Sequence, residues 1–401
     1  MKTQSLPPLR TFRQELKTEL FENILPYWDR LRTTHSFISA LDSANQPMPE
    51  TPLGLIMVSR LLWTYSRAYS LHGKRQYREL ADHAKHVLRM RFCDTENGGY
   101  YWSLQHDGQP WESKKQCYGQ AFCIYAFSEH FAATGDVDSL DRARSLFALL
   151  ETKAWDSKEG GYLETFEPDW TPMQKMRLGD GDLEAPKTMN NHLHIIEAFA
   201  NLQKISPSPE VEAALRSVLR LTADRIILPD TARFGLFYDM DWKLLDSVIS
   251  PGHDIEGSWL LFEAAEILGD SELEKEFKQR ALDMADCVLQ TGIDPDDHAV
   301  RDEFHEGQGY ADTKCWWPQA EGMVGFFNAY QLSGDVRYLE ASQKIWDYIK
   351  GNLIDRVNGE WLWGRHADGR PMNNEKAGPW KSSYHNARAC FELMERIQRV
   401  K

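Results

Sequence analysis

Three histidines, two of them with a glutamate one helical turn on, are the residues of this 401-residue chain best suited to moving protons. Ser250-Pro251-Gly252-His253-Asp254-Ile255-Glu256 sets one at the mouth of a helix. Pro-Gly breaks what precedes it, and an apolar period (Ile255, Trp259, Leu260, Phe262, Ala265, Ile267) then runs to Gly269. Glu256 follows three residues on, on the same face. The positive end of the helix dipole disfavours imidazolium there, so His253 is expected to stay neutral and able to accept a proton. Asn190-Asn191-His192-Leu193-His194 offers the second. His192 and His194 lie about 200° apart around a helix and cannot share a metal ion, whereas Asn190 and His194 share a face and Glu197 falls one turn beyond. The third is His385, just after Trp380 and Tyr384. Trp316, Trp317 and Glu321 form a further polar-aromatic group, and Arg60, Tyr118 and Gln120 lie earlier.

Taken singly, each of these is more often structural: a lone helix histidine is usually a satisfied core or surface group, paired tryptophans are usually core, and an arginine pairs with any nearby carboxylate. The functional reading rests on three histidines recurring at one phase of three repeats. Neutral histidines near pH 7 suit general acid–base work. Two of them on opposite faces of a carbon could remove a proton from one side and return one to the other. That carbon must be acidified by a neighbouring carbonyl, as C2 of an open-chain aldose is. Arg60 and the convergent helix N-termini would stabilise the enediolate, and the tryptophans would stack on pyranose faces. The chain lacks GxGxxG, GxxxxGK[ST] and HExxH, so neither a cofactor nor a metal is expected.

The elements that must position these residues are read from hydrophobic period. A first helix over about 11–31 carries Leu16, Leu20, Ile24, Leu25 and Trp28 on one stripe. Helix pairs follow, the first member of each unusually apolar, starting near Gly54, Lys115, Thr188, Gly252, Lys314 and Lys381, between 61 and 73 residues apart. Their amphipathic partners fall near 76–92, 139–151, 210–226, 272–289 and 336–352. Gly73, Gly135, Gly269 and Gly334 suit left-handed positions past a helix end. Gly98–Trp102, Gly160–Leu163, Arg233–Tyr238 and Gly359–Trp363 read as small hairpin strands. The expectation is an all-α (α/α)6 barrel, one domain over 1–401, with six inner and six outer helices and short β-hairpin segments between repeats. Its inner N-termini meet at one mouth, walled by the connections 166–187 and 292–313. An open solenoid is the structural rival.

Composition narrows the partners. Aromatic residues make up 12%, including 14 tryptophans, enough for a large core and for a sugar-stacking cleft. A net charge of −14 with no basic run argues against nucleic acid and anionic membranes. Six scattered cysteines without a CxxC pair fit a reduced, cytoplasmic chain. The N-terminus has no apolar signal-peptide region, and no apolar run nears 18 residues. The expected partner is a small-molecule sugar, with the chain a monomer or homodimer.

At Tyr118-Gly119-Gln120-Ala121-Phe122, Asn190-Asn191-His192-Leu193-His194-Ile195-Ile196-Glu197-Ala198, Gly252-His253-Asp254-Ile255-Glu256, Trp316-Trp317-Pro318-Gln319-Ala320-Glu321, and Glu375-Lys376-Ala377-Gly378-Pro379-Trp380-Lys381 with Tyr384-His385-Asn386, the chain resembles the N-acylglucosamine 2-epimerase superfamily. Within it, the likeness is to cellobiose and mannose 2-epimerases, and it extends over most of the chain from about Ile24. The resemblance implies an (α/α)6 barrel, with His253 and His385 as the acid–base pair at C2 and His194 assisting ring opening. It implies that Arg60 and Asn190 hold sugar hydroxyls and that Glu256 orients the site. Tyr118, Trp259, Trp316, Trp317, Trp380, Glu321 and Asp182 complete the expected substrate contacts.

Two departures stand near the expected cleft: Thr33–Ser39 replaces a Gly-Gly-Phe-Tyr-Gly-like strand, and Ser382-Ser383 replaces Cys-Pro. They bear on a second sugar ring, so the reading leans to free D-mannose and D-glucose over a β-1,4-linked disaccharide such as cellobiose. The rivals are an aldose–ketose isomerase of the same superfamily, turning mannose into fructose, and an inverting glycoside hydrolase. The hydrolase needs carboxyl groups roughly 6.5–9.5 Å apart, and Asp254 and Glu256 point to different helix faces. A non-catalytic sugar-binding protein is the remaining alternative.

Overall fold

Glycines and aspartates set where each helix stops and the next begins. In the computed structural model, which describes residues 8–179 and 181–400, Gly73, Gly135, Gly269 and Gly334 all take left-handed φ between 63° and 75°. Each ends an apolar helix, as expected of a residue without a Cβ. Asp136, Asp270 and Asp335 then cap the following helices, accepting from the backbone N–H of Asp138, Leu273 and Arg337.

Twelve helices result among the described residues: α1 (residues 9–29), α2 (Leu55–His72), α3 (residues 75–92), α4 (Cys117–Thr134), α5 (Val137–Lys153), α6 (Met189–Ile205), α7 (residues 209–226), α8 (Pro251–Leu268), α9 (Ser271–Thr291), α10 (Trp316–Ser333), α11 (Val336–Asn352) and α12 (Tyr384–Arg399). The even-numbered helices are buried on nearly every side near their N-termini, while the odd-numbered ones bury one face and leave the other in water. Each even helix packs on the next, and α12 packs back on α2. That contact closes the (α/α)6 barrel and excludes the open solenoid. The first helix is the outer partner of the last inner one: Arg13 Nε donates to the Met394 carbonyl at 3.0 Å, and Trp346 Nε1 of α11 reaches Glu15 Oε2 at 2.7 Å.

The short strands differ from expectation. Gly98–Trp102, Gly160–Leu163 and Gly359–Trp363 make only single bridges back to the end of the preceding outer helix, Cys93 to Tyr100, Trp155 to Tyr162 and Ile354 to Trp361. The cause is a sharp turn, with Gly98 and Gly99 at φ 77° and 75°, that leaves too few residues to extend a ladder. Two-residue strands instead tie neighbouring repeats together at the mouth: Lys115–Gln116 pairs with Thr165–Phe166, and Lys187–Thr188 with Phe237–Tyr238. Arg233–Phe234 does form a strand, against Ile227–Leu228.

A lysine anchors the same turn in four repeats. Lys115 reaches Asp94 at 2.7 Å, Lys187 reaches Asp156 at 2.7 Å, Lys314 reaches Asp294 at 2.9 Å, and Lys376 pairs with Asp355. Asp94 and Asp355 each also accept two backbone N–H groups of their own turn, so these charges are compensated on both sides. Among the described residues no helix is long and apolar enough to cross a membrane. All six cysteines are unpaired.

Candidate active site

Numbering each inner helix from its first residue separates structural polar groups from the rest. The fourth residues of α4, α6, α8 and α10 are Gln120, His192, Asp254 and Gln319. They accept the backbone N–H of Tyr100 at 2.9 Å, Tyr162 at 3.0 Å, Phe234 at 2.8 Å and Val300 at 2.7 Å. They are clamps that hold the inter-repeat turns against the inner ring. The sixth residues of α2, α4, α6, α8 and α10 are Arg60, Phe122, His194, Glu256 and Glu321. Two residues turn a helix by about 200°, so these face the barrel axis. His192 is therefore structural and His194 is not. Asp254 serves a backbone N–H on the opposite face from Glu256, so these two do not form the carboxyl pair of an inverting hydrolase.

Arg388 of α12 gathers the axis. Its guanidinium donates to Glu197, to Tyr384 Oη, to Glu256 Oε1 at 2.5 Å and to Glu321 Oε1 at 2.7 Å. All these side chains are almost completely buried. Burial alone would raise the Glu197 carboxyl, but Arg388 and His194 hold it down to about 2. Glu256 moves the other way, raised by burial and then by the neighbouring charge of Glu321. The ligand atoms of Glu256, Glu321 and His385 lie within 4.8 Å of one another. The cation between the two carboxylates is already Arg388, so this donor set does not fit a metal ion.

Three imidazoles stand on this floor. His194 places Nδ1 at 2.9 Å from Glu197 Oε2, and His385 places Nδ1 at 2.7 Å from Glu321 Oε1. A carboxylate at Nδ1 takes that N–H and leaves Nε2 as the free lone pair. His253 places Nδ1 at 2.8 Å from Ser250 Oγ. As the third residue of α8 and the second of α12, His253 and His385 share the axial face with His194 but lie about a turn nearer the mouth. Burial is the chief reason all three are neutral: it carries His253 to about 3, with His194 adding to the effect. His385 falls well below the usual histidine range through burial, then Arg60 and Arg388. His194 is lowered by burial against the pull of Glu197. The neutrality expected from the helix dipole is present, but desolvation is its main cause.

The indole of Trp317 joins the two upper histidines, with ring centroids 4.6 Å from His253 and 5.8 Å from His385. Arg60 donates to Tyr118 Oη at 3.0 Å and to the Trp380 carbonyl at 3.2 Å, and lies 4.4 Å over the Phe122 ring. Tyr118 meets His194 edge-on at 5.0 Å. Asn190 Oδ1 is buried without a protein partner. Trp316 packs on Trp363 at 4.6 Å and on the Lys381 ammonium at 4.9 Å, with His385 farther off at 6.5 Å. Asp182 lies exposed in the connection before α6, its carboxylate accepting Gly179 N–H at 2.8 Å. Trp259 stands apart from this group: six residues deeper in α8 than His253, it donates Nε1 to Glu321 Oε2 at 3.3 Å and carries Arg388 4.9 Å over its ring. It is 2% exposed and supports the floor from below.

Beside Trp380 opens a cleft of about 290 Å³, lined by Trp102, Glu112, Glu375, Leu178 and Gly179. Arg388 is the residue the sequence reading missed. No local signal marks it, because the three carboxylates that define its role come from other helices.

The N-acylglucosamine 2-epimerase (GlcNAc 2-epimerase) family pattern matches residues 36–389. The cellobiose 2-epimerase of Bacteroides fragilis is 40% identical over 387 residues, 95% of this chain and 98% of that protein. The cellobiose 2-epimerase of Ruminococcus albus is 36% identical over 386 residues, with the same 95% and 98% coverage. The solved cellobiose 2-epimerase from Bacillus thermoamylovorans B4167 superposes with a TM-score of 0.93 at 33% identity, covering 96% of this chain and all of that one. With the whole barrel and the motif-bearing helices inside the match, the chain belongs to the N-acylglucosamine 2-epimerase family and is an enzyme of the carbohydrate epimerase and isomerase class.

Proposed function

We propose that the chain, acting as one catalytic domain without a cofactor, interconverts the gluco and manno configurations at C2 of an aldose through a cis-enediolate. His253 and His385 remove and return the C2 proton. His194, its Nδ1–H held by Glu197, serves the ring-opening proton transfer. Arg60, Tyr118 and Asn190 hold hydroxyls, Trp316, Trp317 and Trp380 contact the sugar, and Glu256 and Glu321 fix the floor. Asp182 reaches in from the rim. The observation that carries this reading is the single indole of Trp317 in contact with two neutral imidazoles from different helices. Their Nε2 atoms are the groups a C2 inversion needs.

The substrate we favour is the reducing-end residue of a β-1,4-linked disaccharide such as cellobiose, with free D-mannose and D-glucose as smaller substrates of the same chemistry. This moves away from the free-sugar preference of the sequence reading. What supports it is the activity named for the relatives, together with the cleft beside Trp380. Incubation in D₂O with cellobiose, and separately with mannose, tests both parts by NMR. Deuterium should enter at C2 and the epimer should accumulate. Fructose from mannose as the main product would make the enzyme an isomerase, and no exchange with any of these sugars would end the proposal.

A further inference from the structure

The inference here rests on the proposed C2 chemistry and concerns how the site supplies its proton. Three carboxylates, Glu197, Glu256 and Glu321, converge on Arg388 at the axis, and the guanidinium groups of Arg388 and Arg60 lie 4.3 and 4.8 Å from the Tyr384 ring. The three histidines are neutral, and burial keeps the phenols of Tyr118, Tyr125 and Tyr384 protonated. Beneath Glu197, the carboxylates of Glu129, Glu263 and Glu392 pair with Arg67, Lys204 and Arg396 and balance among themselves. With every carboxylate ionised the enclosure would therefore carry one uncompensated negative charge away from water, which is costly in a low-dielectric interior. One added proton makes it neutral. Arg388 and His194 keep Glu197 ionised, so the proton falls to the other two. Glu256 Oε1 and Glu321 Oε1 lie 2.5 and 2.7 Å from the same Arg388 nitrogen and within 4.8 Å of His385.

We propose that Glu256 and Glu321 hold one proton between them in the resting enzyme, and that His385 exchanges it with the substrate carbon while remaining a neutral imidazole. In one direction His385 Nε2–H is delivered to C2 of the enediolate. The Glu321 proton moves to Nδ1, and a carboxylate is left behind. The other direction starts from the state this leaves, with the pair ionised and His385 as its Nδ1–H tautomer. Nε2 takes the C2 proton, and Nδ1–H passes to the Glu321 carboxylate 2.7 Å away, which restores the single shared proton. Each cycle moves one proton in and one out of the imidazole, and no imidazolium forms. This answers a difficulty of the site, because burial and two nearby guanidinium groups make a charged His385 expensive. Glu256 acts through Glu321, as a positioning residue that provides the second seat for the proton.

Difference infrared spectroscopy on the full chain tests this. At neutral pH, wild type minus Glu256→Gln should show the carbonyl band of a neutral carboxylic acid, and wild type minus Glu321→Gln the same band, because either change removes one of the two seats. Glu164, a buried carboxyl raised to about 7, contributes a neutral-acid band of its own near this pH, which cancels in both differences because the residue is unchanged in them. The band should fade as pH rises above neutrality, and wild-type kcat should fall with it. Glu256→Gln should lose about a hundredfold or more in kcat, with KM moving by less than about threefold, since the affected step is chemical. Glu256→Asp, which keeps a second carboxyl, should recover part of the band and of kcat. Absence of the band in both differences would overturn the proposal. So would a wild-type kcat that stays flat as pH rises above neutrality, a measurement that needs no variant to fold. If no gluco or manno sugar turns over, the proposed function fails, while the infrared measurement still decides whether the proton is shared.

Discussion

The rings of His253 and Trp317 lie 4.6 Å apart and tilted by 47°, and the same indole lies 5.8 Å from His385. The two imidazoles are thereby separated by no more than those two spans together. Two histidines from helices four elements apart in the chain become a pair only because the barrel closes.

His253→Ala and His385→Ala should each lower kcat by about 10²- to 10⁴-fold while the fold persists. His253 makes its hydrogen bond to Ser250 within its own helix start, so little of the barrel depends on it. The check is an epimerisation assay beside a thermal melt followed by circular dichroism. Full activity in either variant would falsify the acid–base assignment.

Arg388→Met should destabilise the chain by about 3–5 kcal/mol, the usual penalty for stripping one partner from a buried ion cluster. Three carboxylates would then face each other without their shared cation. Urea unfolding at pH 7 measures it. A variant as stable as wild type would mean that the cluster is solvated rather than sealed.

Glu164 gives a pH prediction with a definite sign. It is fully buried, burial raises its carboxyl from 4.5 to about 7, and Thr188 donates to it at 2.6 Å. Between those two values the folded state keeps a proton that the unfolded chain has lost, so this group's contribution to stability falls as pH rises and is gone above about 7. Relative to Glu164→Gln, wild type should lose about 2–3 kcal/mol between pH 5 and 8. Parallel urea titrations at the two pH values would show it, and curves that stay parallel across that range would contradict it.

Trp102 lines the cleft beside Trp380, 5.7 Å from it ring to ring, and touches none of the three histidines. Trp102→Ala should raise KM for cellobiose by about tenfold, the order expected for losing one aromatic face, and leave mannose kinetics nearly unchanged. Equal losses on both sugars would place the second ring elsewhere.

Treatment with a chelator should leave turnover unaffected, since Arg388 occupies the position between Glu256 and Glu321 that a cation would take. Dialysis against EDTA followed by the same assay is sufficient. Inhibition restored by a divalent metal would require a different reading of this cluster.

The barrel was legible because its signals are local. The glycines at 73, 135, 269 and 334 and the apolar runs they end mark helix boundaries without reference to any distant residue. That His192 and His194 point oppositely was also legible, from helical geometry alone. Which of them faces the axis was not, because it depends on the backbone N–H of Tyr162, thirty residues upstream, claiming His192. Arg388 and the depth of Trp259 were hidden for the same reason: each is defined by carboxylates brought in from other helices. The aromatic segments misled because their composition suits a strand, while the paired glycines turn the chain before one can form.

The fourth and sixth residues of the inner helices give the fold a division of labour. Gln120, His192, Asp254 and Gln319 work as rivets between repeats, while two places further on the same helix is free to carry whatever the reaction requires. A lineage built this way can exchange its reagents without loosening its frame. Phe122, the lone hydrocarbon among the axial residues at that rung, is where such a chain has most scope to acquire new chemistry.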